Sequence, residues 1–322
     1  MPMTPGYHTS GLLLHDPIAL VEPLASMGYR CVAVRPRQGM LASVSSSPGA
    51  LGNGSRFEAD ESSWERLLQE ARLHRCQLVI DTESSFLLDD ESASMPCLAD
   101  SDEERVQKTL DWIQGWIRLA EQKPGTMVTF GSGVHSREEF SPGPSESDLE
   151  RVASRIEQIA EYARRRGVVI ALRPASGHAV ASVAEFERIC QWLPESVELG
   201  LAADLGEMVS AGEMPLGPRL QRNAERLKIV YLCDHRWPGQ PSRDLPPSTI
   251  GRDDTPIGKG ELSVRRVTET LGKIGFEGPA VVRVEGHCEQ GLQIPRLGMR
   301  HLMQCHWWQR ACQQTDGGCE RG

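Results

Sequence analysis

The residues best suited to chemistry stand at the ends of short apolar runs. Arg173 follows the run VVIAL, Arg283 follows AVV, and Asp204 ends the run LGLAAD. A guanidinium stays charged and binds carboxylates or phosphates through paired hydrogen bonds. Two such groups brought beside a carboxylate would therefore form either a site for an anionic ligand or an internal cluster of ion pairs.

Three glutamates and two aromatic side chains occupy comparable positions. Glu83, Glu207 and Glu285 are candidate catalytic bases, because a carboxylate can remove a proton from carbon next to a carbonyl. His8 and Tyr231 are candidate ligand-binding residues, together with the two arginines and the aspartate above. A hydrogen-bonded structural histidine is the alternative interpretation of His8.

The arrangement of the elements predicts where these residues lie. Apolar runs of strand length alternate with amphipathic segments of helical period. The runs lie at 6–11, 30–36, 77–81, 126–133, 168–174, 197–206, 227–234 and 280–286. Parallel strands need helical crossovers, so the alternation predicts an α/β fold, a parallel eight-stranded (β/α)8 TIM barrel, with an open doubly wound sheet as the alternative. Barrel active sites lie at the C-terminal ends of the strands, where the candidates stand.

The barrel is predicted to take up residues 1–312 as a single domain, followed by a flexible tail at 313–322. Between the second and third runs, the glycine- and serine-rich segment 42–55 is predicted to be a loop. No second domain is expected from this pattern.

Composition argues against several classes of protein. Of 322 residues, 39% are apolar and 25% are charged, which is ordinary for a globular chain with a sizeable core. The net charge of −9, without a long basic stripe, argues against a nucleic-acid partner. The first residues carry neither a basic leader nor a long apolar span, so we expect a cytoplasmic protein with no membrane partner. A homo-oligomer is left open.

Several short motifs occur in an order that carries a resemblance. They are GYHTSG, MGYRCVAVRP, VIDTESSFLLDD, ELGLAADLGEM, VYLCD, IGKGEL and GFEGPAVVRVEG. Over roughly residues 5–305 the chain resembles the sugar phosphate isomerase/epimerase group of the xylose-isomerase-like TIM barrels. The resemblance implies the same barrel and, if the protein is an enzyme, isomerisation or epimerisation of a sugar or sugar phosphate.

Members of that group hold a divalent metal with two glutamates, an aspartate and a histidine. The matching positions carry Arg173, Asp204, Tyr231 and Arg283, so only the aspartate is kept. Exchanging two carboxylates for two guanidiniums moves the local charge from −2 to +2, a change of four units that repels a cation. An arginine cannot serve as the base either. We therefore expect a divergent member with no cofactor that binds a small anionic or polyhydroxylated metabolite at the barrel mouth.

Two alternatives remain open from the sequence. The protein is a non-catalytic scaffold or partner-binding pseudoenzyme if the arginines pair only with internal carboxylates. It is an isomerase or epimerase with a rebuilt divalent-metal site if Asp204, His235 and Glu285 converge, since side chains two residues apart share one face of a strand.

Overall fold

Eight parallel strands close into a barrel in the structure, which is a computed structural model that describes residues 3–12, 14–38, 41–46, 55–82, 97–134, 144–235, 254–285 and 288–305. Each barrel strand pairs with its neighbours in chain order, and the last pairs with the first. The strands are β1 Thr4–His8, β2 Cys31–Val34, β3 Gln77–Asp81, β4 Met127–Phe130, β5 Val169–Leu172, β6 Gly200–Asp204, β7 Leu227–Leu232 and β8 Pro279–Val282. The predicted (β/α)8 barrel is confirmed.

Helices follow the barrel strands along the chain. They are α1 Val21–Ser26, α2 Glu61–Leu73, α3 Glu103–Ala120, α4 Glu146–Arg164, α5 Val183–Trp192, α6 Leu205–Ser210, α7 Leu216–Arg222, α8 Val264–Lys273 and α9 Gln293–Met303. Local sequence fixes several starts: the side chain of Asp102 accepts backbone N–H groups at the start of α3, and Ser182 forms a capping box with Glu185 at the start of α5. No described helix is long and apolar enough to cross a membrane.

The core divides into an apolar barrel interior and a layer between strands and helices. Alternate residues of each strand face opposite sides, and nine of them form a separate buried cluster inside the barrel. These are Cys31, Ala33, Val79, Met127, Ala171, Ala202, Ile229, Tyr231 and Val281. Their strand neighbours, such as Val32 and Ile80, belong to the larger cluster that packs against the helices.

The described residues of segment 42–55, which are 42–46 and 55, depart from the prediction of a loop. The strands Leu41–Ser46 and Ser55–Ala59 pair there in antiparallel register. Every glycine of the segment lies between these two strands, so neither strand contains a residue that breaks pairing. The prediction was wrong because it weighed the glycines and serines of the whole segment together.

The strands are also shorter than the apolar runs that predicted them. The fifth strand ends at Leu172 and the eighth at Val282, so Arg173 and Arg283 lie one residue beyond the strand ends. Their backbone N–H groups still donate to the carbonyl oxygens of Phe130 and Leu232. The predicted tail at 313–322 lies outside the described residues.

Candidate functional site

A polar layer lies on top of the apolar barrel interior, and the period of two along each strand explains it. Residues two positions beyond inward-facing apolar residues also face inward, so polar residues at these positions meet at the mouth. They follow Ala33, Val79, Met127, Ala171, Ala202 and Val281 and are, in the same order, Arg35, Asp81, Thr129, Arg173, Asp204 and Arg283.

Two guanidiniums share one carboxylate oxygen in this layer. Nη1 of Arg173 lies 3.6 Å from Oδ2 of Asp204, and Nη1 of Arg283 donates to the same oxygen. The other oxygen, Oδ1, accepts the backbone N–H groups of Gly206 (3.0 Å) and Glu207 (3.3 Å) and so caps α6. From their places at the strand ends, both guanidiniums are expected within reach of Asp204 or Glu285, and the structure places them there; their role in ligand binding stays a prediction.

A second carboxylate links Arg283 to Arg35, which follows β2, the strand on the far side of β1 from β8. Nη2 of Arg283 donates to Oε1 of Glu285 at 2.7 Å, and Nη2 of Arg35 lies 3.2 Å from that oxygen. The same Nη2 of Arg35 lies 3.3 Å from Oδ2 of Asp81. Sequence reasoning gave Arg35 no role, although its place at the end of the second apolar run was the available signal.

His8 is held as a neutral ring. Burial lowers its pKa to about 4, despite a hydrogen bond with Asp81. Nδ1 accepts the backbone N–H of Ser10 at 3.1 Å, so the ring proton is on Nε2, which donates to Oδ2 of Asp81 at 3.0 Å. Burial by itself would raise the pKa of Asp81, but the charge of Arg173, the His8 hydrogen bond and the charge of Arg35 hold it well below its usual range. These contacts favour a structural His8.

The free energy of unfolding is expected to fall as the pH drops from about 6.5 towards 4, and His8 is one cause. Its pKa is 6.5 when unperturbed and about 4 in the folded protein, so between these values the unfolded chain binds a proton that the folded chain does not. Urea unfolding across this range should give a shallower decline for His8→Gln than for the wild type. Identical pH dependence of the two proteins would count against the neutral ring.

Tyr231 lies beneath the arginines. Its hydroxyl is 2.9 Å from Oγ1 of Thr129, its ring meets that of His8 edge-to-face, and Cζ of Arg283 lies 5.8 Å from the ring centroid. Burial raises the pKa of Tyr231 well above its usual range, so the phenol stays neutral. The structure thus gives Tyr231 internal partners, and its predicted ligand-binding role stays a prediction.

Of the remaining candidate site residues, one lies near the arginines, one lies in a short separate strand and one is outside the described residues. Oε2 of Glu207 accepts the backbone N–H of Ser176 at 2.8 Å, and its charge acts on Arg173 in the polar layer, which we also call the arginine layer. His235 is buried in a short strand, Asp234–His235, that pairs with Asp254–Thr255. Glu83 lies outside the described residues.

The alternative metal site is not assembled. In the described part of the chain, no three His, Cys, Asp or Glu side chains are grouped to hold a metal, so Asp204, His235 and Glu285 do not form such a set. Both of these carboxylates instead contact the guanidinium of Arg283.

The residues that the sequence resemblance assigns to the metal positions do not fit a divalent cation. Arg173, Tyr231 and Arg283 offer two cationic groups and a neutral phenol there, and Oδ2 of Asp204 already receives both guanidiniums. Hard divalent cations require oxygen or imidazole ligands with little positive charge nearby. No step of the chemistry proposed below passes through a metal.

Residues 21–307 match the family model described as xylose isomerase-like TIM barrel. No curated protein matches the sequence.

Solved structures share this fold at low sequence identity. A 3-keto-D-glucoside 4-epimerase, YcjR, from E. coli has a TM-score of 0.68 and 15% identity over 94% of this chain and 100% of its own. A D-tagatose 3-epimerase-like protein has a TM-score of 0.68 and 16% identity over 97% and 100%. The IOLI protein, with a bound zinc atom, has a TM-score of 0.69 and 14% identity over 94% and 97%. These similarities establish the fold.

Proposed function

The chain belongs to the xylose isomerase-like TIM barrel family, and we propose that it is a divergent member that binds a small anionic or polyhydroxylated metabolite at the barrel mouth without a divalent metal. The observation that carries this proposal is the pair Arg173 and Arg283, whose guanidiniums both lie on Oδ2 of Asp204. The two guanidiniums occupy the oxygen that a cation would need, and as hydrogen-bond donors they suit acceptor oxygens of a ligand.

The polar groups at the barrel mouth suit a sugar-like ligand. Sugar hydroxyls both donate and accept hydrogen bonds, and the layer supplies guanidinium donors beside carboxylate acceptors such as Glu285. The sugar epimerases of similar fold support the same class of ligand. A carboxylate or phosphate on the ligand would add paired hydrogen bonds to an arginine.

Isomerase or epimerase chemistry on such a ligand would require a carboxylate base, because the arginines cannot give up a proton at neutral pH. Glu285 and Glu207 are the described candidates, since both side chains lie beside the arginine layer and neither is fully buried. The arginines would then stabilise negative charge that develops on the ligand oxygen.

A non-catalytic scaffold is the second candidate. It is favoured by one observation: Arg35, Arg173 and Arg283 all contact internal carboxylates. In that case the ion pairs serve the fold alone, and the mouth shows no response to small anions or sugars.

Metal analysis and a ligand screen test the proposal. We expect purified protein to carry no stoichiometric manganese, zinc or magnesium, and its Tm to rise with sugar acids, sugar phosphates or sugars but not with divalent cations. Arg283→Gln should abolish the ligand response. Arg265→Gln, which removes an exposed arginine of α8, should preserve it. One metal ion per chain would overturn the metal-free proposal, and an absent ligand response would favour the scaffold.

A further inference from the structure

Glu285 differs from the other carboxylates of the arginine layer in its exposure. Its side chain is 35% exposed, whereas those of Asp81 and Asp204 are fully buried. Of the two arginines that hold it, Arg35 is 17% exposed and Arg283 is 4% exposed. Solvent therefore reaches the Glu285 carboxylate but not those of Asp81 and Asp204, and a ligand carboxylate that takes its place would keep the buried Nη2 of Arg283 paired.

Two guanidiniums lie close to one carboxylate oxygen of Glu285. Oε1 lies 2.7 Å from Nη2 of Arg283 and 3.2 Å from Nη2 of Arg35. This repeats, nearer the solvent, the arrangement in which Arg173 and Arg283 share Oδ2 of Asp204. Any carboxylate oxygen placed where Oε1 lies would receive the same two charge-assisted contacts.

The net charge of the arginines and carboxylates at the mouth determines whether an anionic ligand adds to the cluster or replaces one of its carboxylates. Among the described groups that interact with Arg35, Arg173 and Arg283 are the four carboxylates of Asp81, Asp204, Glu207 and Glu285, so the charge of this cluster is +3 − 4 = −1. His8 and His178 add no charge at neutral pH, because burial lowers the pKa of each to about 4. An anion added to this cluster makes it more negative, whereas an anion exchanged for Glu285 leaves its charge unchanged.

We propose that the ligand carries a carboxylate and that this group replaces Glu285 on Arg35 and Arg283, so that Glu285 is a built-in competitor for the site. This inference rests on the proposed function, which it narrows from anions in general to sugar-like carboxylates. A carboxylate conserves the charge on exchange, while a phosphate dianion brings one charge more than Glu285 takes away.

Glu285→Gln tests the exchange because it removes the competing charge and keeps the shape of the side chain. Isothermal titration with D-glucuronate, D-glucose 6-phosphate and D-glucose compares a carboxylate, a phosphate and a neutral sugar on the wild type and the variant. Glu289→Gln is the matched control, since it removes the same charge from an exposed residue four positions further along the chain. The Tm of each variant reports whether it is folded.

In the wild type, glucuronate should bind more tightly than glucose 6-phosphate. Glu285→Gln should tighten glucuronate binding about tenfold or more, as expected when a competitor held by a charge-assisted hydrogen bond and a second ion pair loses its charge. It should change glucose binding far less than glucuronate binding, because a neutral sugar does not compete with the Glu285 charge for the arginines, and Glu289→Gln should alter neither. The proposed replacement of Glu285 by a ligand carboxylate would be overturned if glucose 6-phosphate bound the wild type more tightly than glucuronate, or if glucuronate bound the wild type and Glu285→Gln equally. Metabolite binding at the mouth would still stand in either case. Failure of all three probes to bind either protein would overturn the proposed function itself.

Discussion

Asp204→Ala is expected to lower the free energy of unfolding by about 3 to 5 kcal/mol, because it leaves two buried guanidiniums without their shared carboxylate. Arg173 is 1% exposed and the side chain of Arg283 is 4% exposed, so neither can regain hydration without opening the barrel mouth. Urea unfolding monitored by circular dichroism measures the loss.

The cap that Asp204 provides to α6 is a smaller part of this effect, and a second aspartate measures it. Asp102 caps α3 by accepting the backbone N–H groups of Glu104 and Arg105, and it is exposed. Asp102→Ala should cost about 1 kcal/mol, the usual effect of losing an N-cap. Equal losses for the two variants would mean that the guanidiniums do not depend on Asp204.

Asp234→Ala should destabilise the protein by about 4 kcal/mol or more, because one buried carboxylate satisfies four backbone N–H groups. Oδ1 accepts from His235 and Leu262, and Oδ2 accepts from Gly258 and Gly260, each at 2.9 Å. These bonds fix the IGKGEL segment before α8. Hydrogen exchange should show the amides of Gly258, Gly260 and Leu262 losing protection first.

A glycine in the same segment provides an independent check. A Cβ at Gly260 would lie 2.4 Å from Oδ1 of Asp234 and 2.5 Å from the backbone oxygen of His235, so Gly260→Ala should weaken the same contacts. Gly115→Ala is the control, because a Cβ added at Gly115 would have no heavy atom within 4 Å, and alanine is more favourable than glycine inside a helix such as α3. If neither Gly260→Ala nor Asp234→Ala changed hydrogen exchange at residues 258–262, the Asp234 carboxylate would not be what holds this segment.

The barrel was predictable because its signals are local. Short apolar runs alternate with amphipathic helices, and caps such as Asp102 mark helix starts within a few residues. Strand lengths were less predictable: the run 168–174 forms a regular strand only up to Leu172, although the backbone N–H of Arg173 still donates to the carbonyl oxygen of Phe130. The hairpin Leu41–Ser46 with Ser55–Ala59 escaped prediction because pairing, and not composition, satisfies its backbone groups.

The sequence by itself determined the eightfold alternation and the period of two that points Arg173, Asp204 and Arg283 into the barrel. Only the tertiary structure decided their partners. Closing the barrel brings β8 beside β1 and places Arg35 on Glu285, 250 residues away in the chain. The pairing of charges depends on distances of a few ångströms between different strands, and no local pattern encodes such distances.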